Sequence, residues 1–285
     1  MSSDTDQEPA LEPTTTAETE LGQIVQQEML AIIPFSARVR AAFGVFGGMF
    51  AMGVRAIQRA FVRPLSFGET AYQIEVLGAR SLSIATLTAV FAGLVMTLQF
   101  AFFMTRFGIQ HTVGKVVVLT LFRELGPVLT ALTVGARIGS GITAELGSMK
   151  VTEQIDAIAA LGADPVKKLV TPRLLACMVV MPALTCLADV FGLTAGAIVA
   201  SSQYDIPFDQ FFRGAVETCD VVDFTSGIAK SFVFGAIIAI VGCFKGFEVS
   251  GGTEGVGRST TETVAITSVA VCLSDFFLTK LFLAL

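Results

Sequence analysis

The sequence is poor in the residue types that build metal centres. It contains no tryptophan, five cysteines and a single histidine, His111. None of the cysteines forms a Cys-x-x-Cys pair, and zinc sites in proteins need clustered Cys or His ligands. Four of the five cysteines lie in apolar runs, where cysteine behaves as a small buried hydrophobic residue. The sequence therefore predicts no metal site.

Motifs for nucleotide hydrolysis and nucleophilic catalysis are absent as well. A P-loop requires Gly-x-x-x-x-Gly-Lys-Ser/Thr. The nearest match, Gly114-Lys115, has Ile109 in place of the first glycine and is followed by Val116. No nucleophile elbow and no His-Glu-x-x-His motif occurs. We therefore predict that the chain is not an enzyme and carries no cofactor, so that any ATP and Mg²⁺ are used by a partner chain.

Charged residues are scarce throughout the sequence. They make up 15% of the chain, hydrophobic residues make up 53%, and the mean hydropathy is +0.73. These values lie outside the range of soluble globular proteins and indicate an integral membrane protein. A nucleic-acid partner is not expected.

The first 34 residues differ from the rest of the chain. Six acidic residues and no Lys or Arg fall in the first twenty, which also contain three consecutive threonines. Such a composition is typical of a solvated, disordered segment. The segment also lacks the basic and apolar regions of a signal peptide. We predict that residues 1–34 form an acidic, largely disordered extension in the cytoplasm.

Apolar runs predict five membrane-spanning helices, and hence an all-α integral membrane protein. The runs cover about 82–104, 116–142, 174–201, 224–244 and 264–285, each long enough to cross the hydrocarbon core. Polar connections are expected over 203–223 and 245–262. With the N-terminus inside, cytoplasmic segments hold twelve Lys and Arg and outer segments hold four. This asymmetry predicts a cytoplasmic N-terminus and a periplasmic C-terminus.

A Phe-rich stripe predicts a further helix over 41–62. Phe43, Phe46 and Phe50 recur at helical spacing, whereas Arg55 and Arg59 lie off the stripe. One basic face and one aromatic face favour a helix that lies in the membrane interface. A true membrane span of this length is the alternative.

Residues 122–173 carry the unusual charges of the sequence. Arg123, Glu124 and Arg137 lie within the second apolar run, and ionisable residues inside a span usually mark a function. By helical spacing Arg123 and Arg137 can share a face, where guanidinium groups could bind an anionic headgroup. Pro127 frees a backbone carbonyl and can bend the helix. Structural pairing of Arg123 and Glu124 with other helices is the alternative.

A short amphipathic helix is predicted over 152–161. Ile155 and Ile158 form its small apolar face, Glu153 and Asp156 lie mostly on another face, and Asp164-Pro165 ends it. A cytoplasmic helix of this length between two spans could insert into a groove on a soluble subunit. An ordinary solvated connection is the alternative.

Three motifs resemble the MlaE (YrbE) family of ABC-transporter permeases, which serve MCE-type lipid transport systems. They are FRELGPVLTAL over 122–132, GARIGSGITAELGSMKVTEQIDAIAALGADPVKKLVTPR over 135–173 and GVGRSTTETV over 255–264. The resemblance covers about residues 35–285 and so identifies this segment as the permease domain. Residues 1–34 lie outside it.

The resemblance implies an assembly and two sets of site residues. Two subunits, each with an N-terminal elbow helix in the interface, would bind two cytoplasmic ABC ATPase subunits beneath an outer ring of MCE-domain proteins, and some systems add a STAS-domain protein. The substrate pocket would contain Arg123 and Glu124, with apolar walls from Leu94, Leu98 and Phe102. The coupling helix would contact the ATPase through Glu153, Gln154, Ile155, Asp156, Leu161 and Asp164.

We therefore expect a permease subunit that moves phospholipid or a related lipid between the bacterial inner membrane and the outer envelope. The sequence leaves two alternatives open. One is an ion-coupled secondary carrier in which Arg123, Glu124 and Asp189 relay ions, although no inverted repeat is visible. The other is a structural membrane scaffold for an MCE ring.

Overall fold

The structure is a computed structural model that describes residues 35–60 and 67–284, with side chains from Gly44 onward. The expected disorder of residues 1–34 and the last two residues of the helix expected over 41–62 lie outside the described residues. By contact density the chain divides into two compact units, residues 1–48 and 49–285. The second unit contains the spans and the sites described below.

The described residues form helices and short connections, without strands. The α-helices are α1 (Phe35–Ala60), α2 (Phe67–Ala79), α3 (Leu82–Arg106), α4 (Val113–Thr120), α5 (Gly126–Val151), α6 (Gln154–Ala160), α7 (Thr171–Tyr204), α8 (Phe208–Thr218), α9 (Val221–Phe247) and α10 (Gly252–Ala284). A 3₁₀ turn at Gln110–Thr112 precedes α4, and π-helical segments at Leu121–Leu125 and Val166–Val170 lead into α5 and α7.

Five helical segments in the described residues are long and apolar enough to cross a membrane. They are Leu82–Arg106, Gln110–Val151, Val166–Tyr204, Val221–Phe247 and Gly252–Ala284. The all-α membrane fold with five spans is confirmed. Helix α1 is not among the five, although it has 26 residues.

Several helices extend beyond the apolar runs from which they were predicted. The second segment has 42 residues, and α10 begins at Gly252, within the expected 245–262 loop. The 203–223 connection contains α8, which the sequence analysis did not predict. Phe211 and Ala215 are one turn apart on α8, and both are buried. Burial of this face stabilises a helix in a segment that is acidic overall.

Helices α9, α7 and α5 form the centre of the bundle. Helix α3 packs on α7, α7 on α9, α9 on α5, and α5 on α10. Within an apolar stretch of 18 residues taken from each helix, 61% is buried in α9, against 22% in α3 and 11% in α10. Both outer helices therefore present apolar faces to lipid or to another protein.

Two close contacts fix the arrangement of these helices. A Cβ on Gly93 of α3 would collide with the backbone of Gly192 on α7, so the two helices approach to a distance that only small residues permit. Thr143 of α5 donates to the Gly242 carbonyl at 3.0 Å and lies 2.8 Å from the hydroxyl of Thr263. These buried polar contacts join α5, α9 and α10.

The second half of α1 packs on the bundle through its small residues. Ala56 is fully buried, and a Cβ on Gly53 would touch Ile240 of α9. Phe50 of the predicted stripe is exposed, as are Val54 and Ile57, which continue it at helical spacing. These three side chains therefore point away from the bundle, which suits a helix that lies in the membrane interface.

Candidate substrate site and coupling surface

A buried lysine lies at the centre of a polar cluster formed by three helical segments. The Lys230 side chain on α9 is 1% exposed. Its ammonium donates to Glu124 Oε2 at 2.6 Å and to Thr279 Oγ1 at 2.7 Å, and lies 3.2 Å from Asp275 Oδ1. Thr279 in turn donates to Glu124 at 3.1 Å. We call Glu124, Lys230, Asp275 and Thr279 the Lys230 cluster.

Local backbone geometry explains why the ammonium lies there. Pro127 has no N–H and cannot bond the carbonyl of Arg123 four residues earlier. That carbonyl accepts a hydrogen bond from Lys230 Nζ at 3.0 Å. The turn at Leu121–Leu125 is π-helical, so the Gly126 N–H bonds the carbonyl of Leu121.

A glycine on α9 permits this close approach. Gly227 lies one turn before Lys230 on the same side of the helix. A Cβ at Gly227 would collide with the carbonyl of Phe122 in the π-helical turn. The lysine can therefore reach the backbone of the turn only because α9 has no side chain at this point.

Arg123 is paired at the edge of the cluster. Its guanidinium lies 3.4 Å from Asp223 Oδ1. Asp223 also accepts from the N–H of Asp220, as part of the capping box that begins α9. With Arg123 and Asp223 included, the cluster holds three carboxylates and two cations. It is therefore a mixed ionic network.

A groove of about 490 Å³ opens beside the cluster, along the last turns of α10. Glu124, Asp275 and Thr279 line it together with Lys280, and their side chains supply its polar wall. Its apolar wall comes from Phe276, Leu283 and Ala284. The groove therefore offers charges of both signs next to an apolar surface.

The structure brings together only some of the predicted substrate residues. Arg123 and Glu124 both lie in or beside the Lys230 cluster. The predicted apolar lining on α3 does not border the groove in a single chain. Leu94 is half-buried, whereas Leu98 and Phe102 are exposed, with Arg106 lying 4.2 Å above the Phe102 ring.

Arg137 does not join Arg123. It donates to Ser81 Oγ at 2.9 Å. Ser81 precedes α3, whereas Arg123 pairs at the start of α9. About 20 Å of helix separates two residues fourteen positions apart at 1.5 Å per residue. The two arginines therefore do not share a site.

Sequence reasoning missed Lys230, Asp275 and Thr279 as members of the site. Lys230 lies within the fourth apolar run, and its partners come from other helices. A buried charge in lipid needs a partner of opposite sign. Matching Lys230 with the acidic residues of the other spans would have suggested Glu124 or Asp275.

At the opposite end of the bundle, α6 carries the predicted coupling residues. Ile155 is 4% exposed and packs into the core of its own chain. Glu153, Gln154 and Asp156 are exposed, and Leu161 is 86% exposed. Ile155 therefore anchors the helix, and the other residues form its free surface.

Ion pairs hold α6 in place. Asp156 bonds Lys150 of α5 at 2.9 Å, and Asp164 lies 3.0 Å from Arg59 Nε of α1. Glu153 adopts a left-handed conformation with φ of 59° between α5 and α6. The first pair connects α6 to α5, and the second connects the segment after α6 to α1.

Asp189 lies apart from these networks. Its side chain on α7 is buried, and Oδ1 has no hydrogen-bond partner among the described residues. It borders a small cavity that Leu121, Leu125 and Gly126 also line. Nothing in the described residues links Asp189 by hydrogen bonds to Arg123 or Glu124.

Comparison with known proteins agrees with this architecture. The family model described as Permease MlaE matches residues 70–281. A "Probable ABC transporter permease protein" of Rickettsia typhi is 37% identical over 235 residues, covering 82% of this chain and 91% of that protein. A protein of the same description from Synechocystis is 42% identical over 212 residues, which cover 74% of this chain and 81% of that protein.

A plant protein is also similar. Protein TRIGALACTOSYLDIACYLGLYCEROL 1, chloroplastic, of Arabidopsis thaliana is 36% identical over 228 residues, covering 80% of this chain and 65% of that protein. The family match extends from α2 to the last turns of α10 and so includes the Lys230 cluster and α6. The chain is a multi-pass membrane protein that belongs to the MlaE family of ABC transporter permeases.

Proposed function

We propose that this permease moves phospholipid or a related lipid between the bacterial inner membrane and the outer envelope through an MCE-domain protein. The observation that carries the proposal is the groove beside the Lys230 cluster. An amphiphile needs an apolar wall for its acyl chains and a polar wall for its headgroup, and this groove has both. Glu124 and Asp275 with Lys280 offer both signs of charge, which suits a zwitterionic headgroup.

A lipid-related name among the relatives supports this choice of cargo. The Arabidopsis relative is named for trigalactosyldiacylglycerol, a lipid with two acyl chains. Phospholipids share the diacyl part of that molecule. We therefore assign the acyl chains to the apolar wall and the headgroup to the charged wall.

The proposed functional unit is a homodimer. In the single chain, most of the apolar stretch of α3 and of α10 is not buried. Leu94, Leu98 and Phe102 lie one turn apart on α3 and do not reach the groove of their own chain. Packing of a second copy against these helices would bring a stripe of α3 to a shared pocket, as the resemblance implies.

ATP-driven movement would enter through α6. Leu161 and the exposed acidic residues of α6 form the surface offered to an ABC ATPase, which would bind ATP and Mg²⁺. Movement of α6 would pass to α5 through the Lys150–Asp156 pair, and α5 follows directly after the π-helical turn that carries Glu124. A STAS-domain protein is a further candidate partner on the same side. This scheme places the N-terminus in the cytoplasm and the C-terminus in the periplasm.

Reconstitution tests the proposal. The permease is purified with its ATPase and MCE protein, placed in vesicles, and assayed for ATP-dependent transfer of fluorescent phospholipid. Glu124→Gln and Asp275→Asn each remove one carboxylate from the groove while keeping its shape. We expect either change to lower the transfer rate by about tenfold, the effect of a lost charge-assisted hydrogen bond. Arg213→Gln, on the exposed surface of α8, serves as the control.

The two alternatives predict different results in the same assay. Transfer by the permease alone, driven by an ion gradient and without the ATPase, would establish the secondary carrier. A complex that assembles and transfers lipid at the normal rate with both Glu124→Gln and Asp275→Asn would show that the groove does not bind the lipid, as the scaffold predicts.

A further inference from the structure

A second cavity lies at the end of the bundle opposite the Lys230 cluster. It has a volume of about 600 Å³ and is bounded by α2, α5 and α10. This volume falls within the range of small-molecule sites, about 300–1,000 Å³. Its polar lining comes chiefly from Tyr72, Gln73, Arg80, Arg137, Glu145 and Thr260.

The charge of this cavity is predominantly positive. Among the described residues, neither Arg80 nor Arg137 forms an ion pair, whereas Arg59, Arg173 and Arg258 at this end do. Arg137 uses one N–H to bond Ser81 and keeps its remaining donors. The carboxylate in the lining, Glu145, is engaged by Arg173 at 2.7 Å. Two guanidinium groups therefore face the cavity without a carboxylate partner among the described residues.

The position of the cavity corresponds to the depth of lipid headgroups. Arg80 and Ser81 directly precede Leu82, where the uncharged segment of α3 begins. The hydrogen bond from Arg137 to Ser81 holds Arg137 at the same level, although α5 continues for fourteen residues beyond it. Arg80 therefore lies where the apolar segment of α3 begins, and the bond to Ser81 holds Arg137 at the same level. We assign this level to the phosphate groups of one leaflet.

We propose that Arg80 and Arg137 form a binding site for a phosphate group, with Tyr72 and Gln73 as additional hydrogen-bond donors. Guanidinium groups bind phosphate through two parallel hydrogen bonds, and Ile138 and Ile142 provide an apolar floor beside them. Either a phospholipid headgroup or a soluble phosphate ester presents this chemistry. The site is distinct from the groove at Glu124, since thirteen residues of helix, about 20 Å, separate Glu124 from Arg137.

Calorimetric titration of the purified full chain in non-ionic detergent tests the site. Dihexanoyl phosphatidylglycerol carries both acyl chains and phosphate, dihexanoylglycerol lacks the phosphate, and sn-glycerol 3-phosphate lacks the chains. We expect at least one phosphate-bearing probe to bind about tenfold or more tightly than dihexanoylglycerol. Binding of phosphatidylglycerol alone identifies a lipid headgroup as the ligand. Equal binding of sn-glycerol 3-phosphate identifies a soluble phosphate ester.

Substitutions assign the binding to these residues. Arg80→Gln and Arg137→Gln should each remove the preference for phosphate, and Arg137→Lys should retain part of it. Arg258→Gln removes an arginine at the same end of the bundle that lies outside the cavity, so it should bind as the unaltered chain does. Because the Arg80 side chain is exposed, Arg80→Gln tests the site even if Arg137→Gln misfolds.

Two results would overturn the inference. One is equal affinity for dihexanoylglycerol and the phosphate-bearing probes. The other is unchanged phosphate preference in folded Arg80→Gln. The titration needs neither ATP nor a partner, so its outcome is independent of lipid transport. Normal lipid transfer without a phosphate preference would refute only this site. A phosphate preference without lipid transfer would refute only the proposed transport.

Discussion

Replacement of Lys230 by methionine should destabilise the protein strongly. Methionine keeps the length of the side chain but removes the ammonium, which leaves the carboxylates of Glu124 and Asp275 facing each other without a cation. Removing one partner of a buried ion pair costs about 3–5 kcal/mol. The two carboxylate side chains are 35% and 21% exposed. Water can therefore solvate the two carboxylates in part. We expect the free energy of unfolding to fall by about 3 kcal/mol, the lower end of that range.

Thiol labelling during heating can measure this loss, because the chain has no tryptophan to report unfolding by fluorescence. Cys177 and Cys243 are fully buried and react with a maleimide dye only after unfolding. Labelling of Cys186 and Cys272 before heating, at positions that are partly buried and exposed in the single chain, sets the baseline. Cys219 reacts slowly, because partial burial and the carboxylates of Asp223 and Asp220 raise the pKa of its thiol. We expect Lys230→Met to lower the unfolding midpoint by about 6–12 °C.

A double-mutant cycle isolates the interaction. Glu124→Gln alone should lower the midpoint less, because Lys230 keeps Asp275 and the Arg123 carbonyl as partners. The combined substitution should cost less than the sum of the two single effects, since the second change removes a carboxylate that the first has left unpaired. Arg213→Gln is the control, because Arg213 and Asp209 on α8 form a pair that is 72% exposed on both sides. If Lys230→Met unfolds at the same temperature as Arg213→Gln, the cluster does not stabilise the fold.

Three further predictions concern other parts of the molecule. Gly93→Ala should lower the free energy of unfolding by about 1–3 kcal/mol, because the new methyl group overpacks α3 against Gly192. Gly141→Ala is the control: no atom lies within 4 Å of its new methyl group, so the unfolding midpoint in the maleimide assay should not fall. Thr143→Val should lower the free energy of unfolding by about 1–2 kcal/mol through the loss of its buried hydrogen bonds, and an unchanged midpoint would contradict this. Leu161→Asp should leave stability intact but reduce co-purification of the ATPase by about tenfold, and full retention of the ATPase would show that α6 is not the docking surface.

Hydropathy predicted the number of spans because it is a local property of the chain. A run without charge over 82–104 has few alternatives to crossing the membrane, whatever it packs against. The extensions of the helices into the polar connections were not predictable in this way. Helix α8 forms because Phe211 is buried against other parts of the chain, and no local pattern in an acidic segment reveals that contact.

The candidate site was predictable only in part for a related reason. Charges inside an apolar run mark Arg123 and Glu124, but their partners depend on which helices become neighbours. The sequence pattern also could not decide which way the apolar side of α6 faces. Ile155 is apolar, so from the sequence it could equally enter a groove on a partner. In the structure it packs into the core of its own chain. The α3 residues from Leu94 to Phe102 were assigned to the pocket by resemblance, and that assignment remains a prediction.

The π-helical turn at Leu121–Leu125 also limits how the length of this chain can vary. A turn closed by a bond over five residues contains one more residue than an α-helical turn, so it amounts to a single-residue insertion within a continuous helix. Deleting one residue there would restore an α-helix, but it would rotate the preceding segment by about 100° and shift it by about 1.5 Å relative to α5. The side chain at Glu124 would then no longer face Lys230. A second turn of this kind, at Val166–Val170, separates α6 from α7. Insertions and deletions should therefore disrupt the fold at these two π-helical turns, although neither is a loop. In the connections beyond the helix ends they should be tolerated.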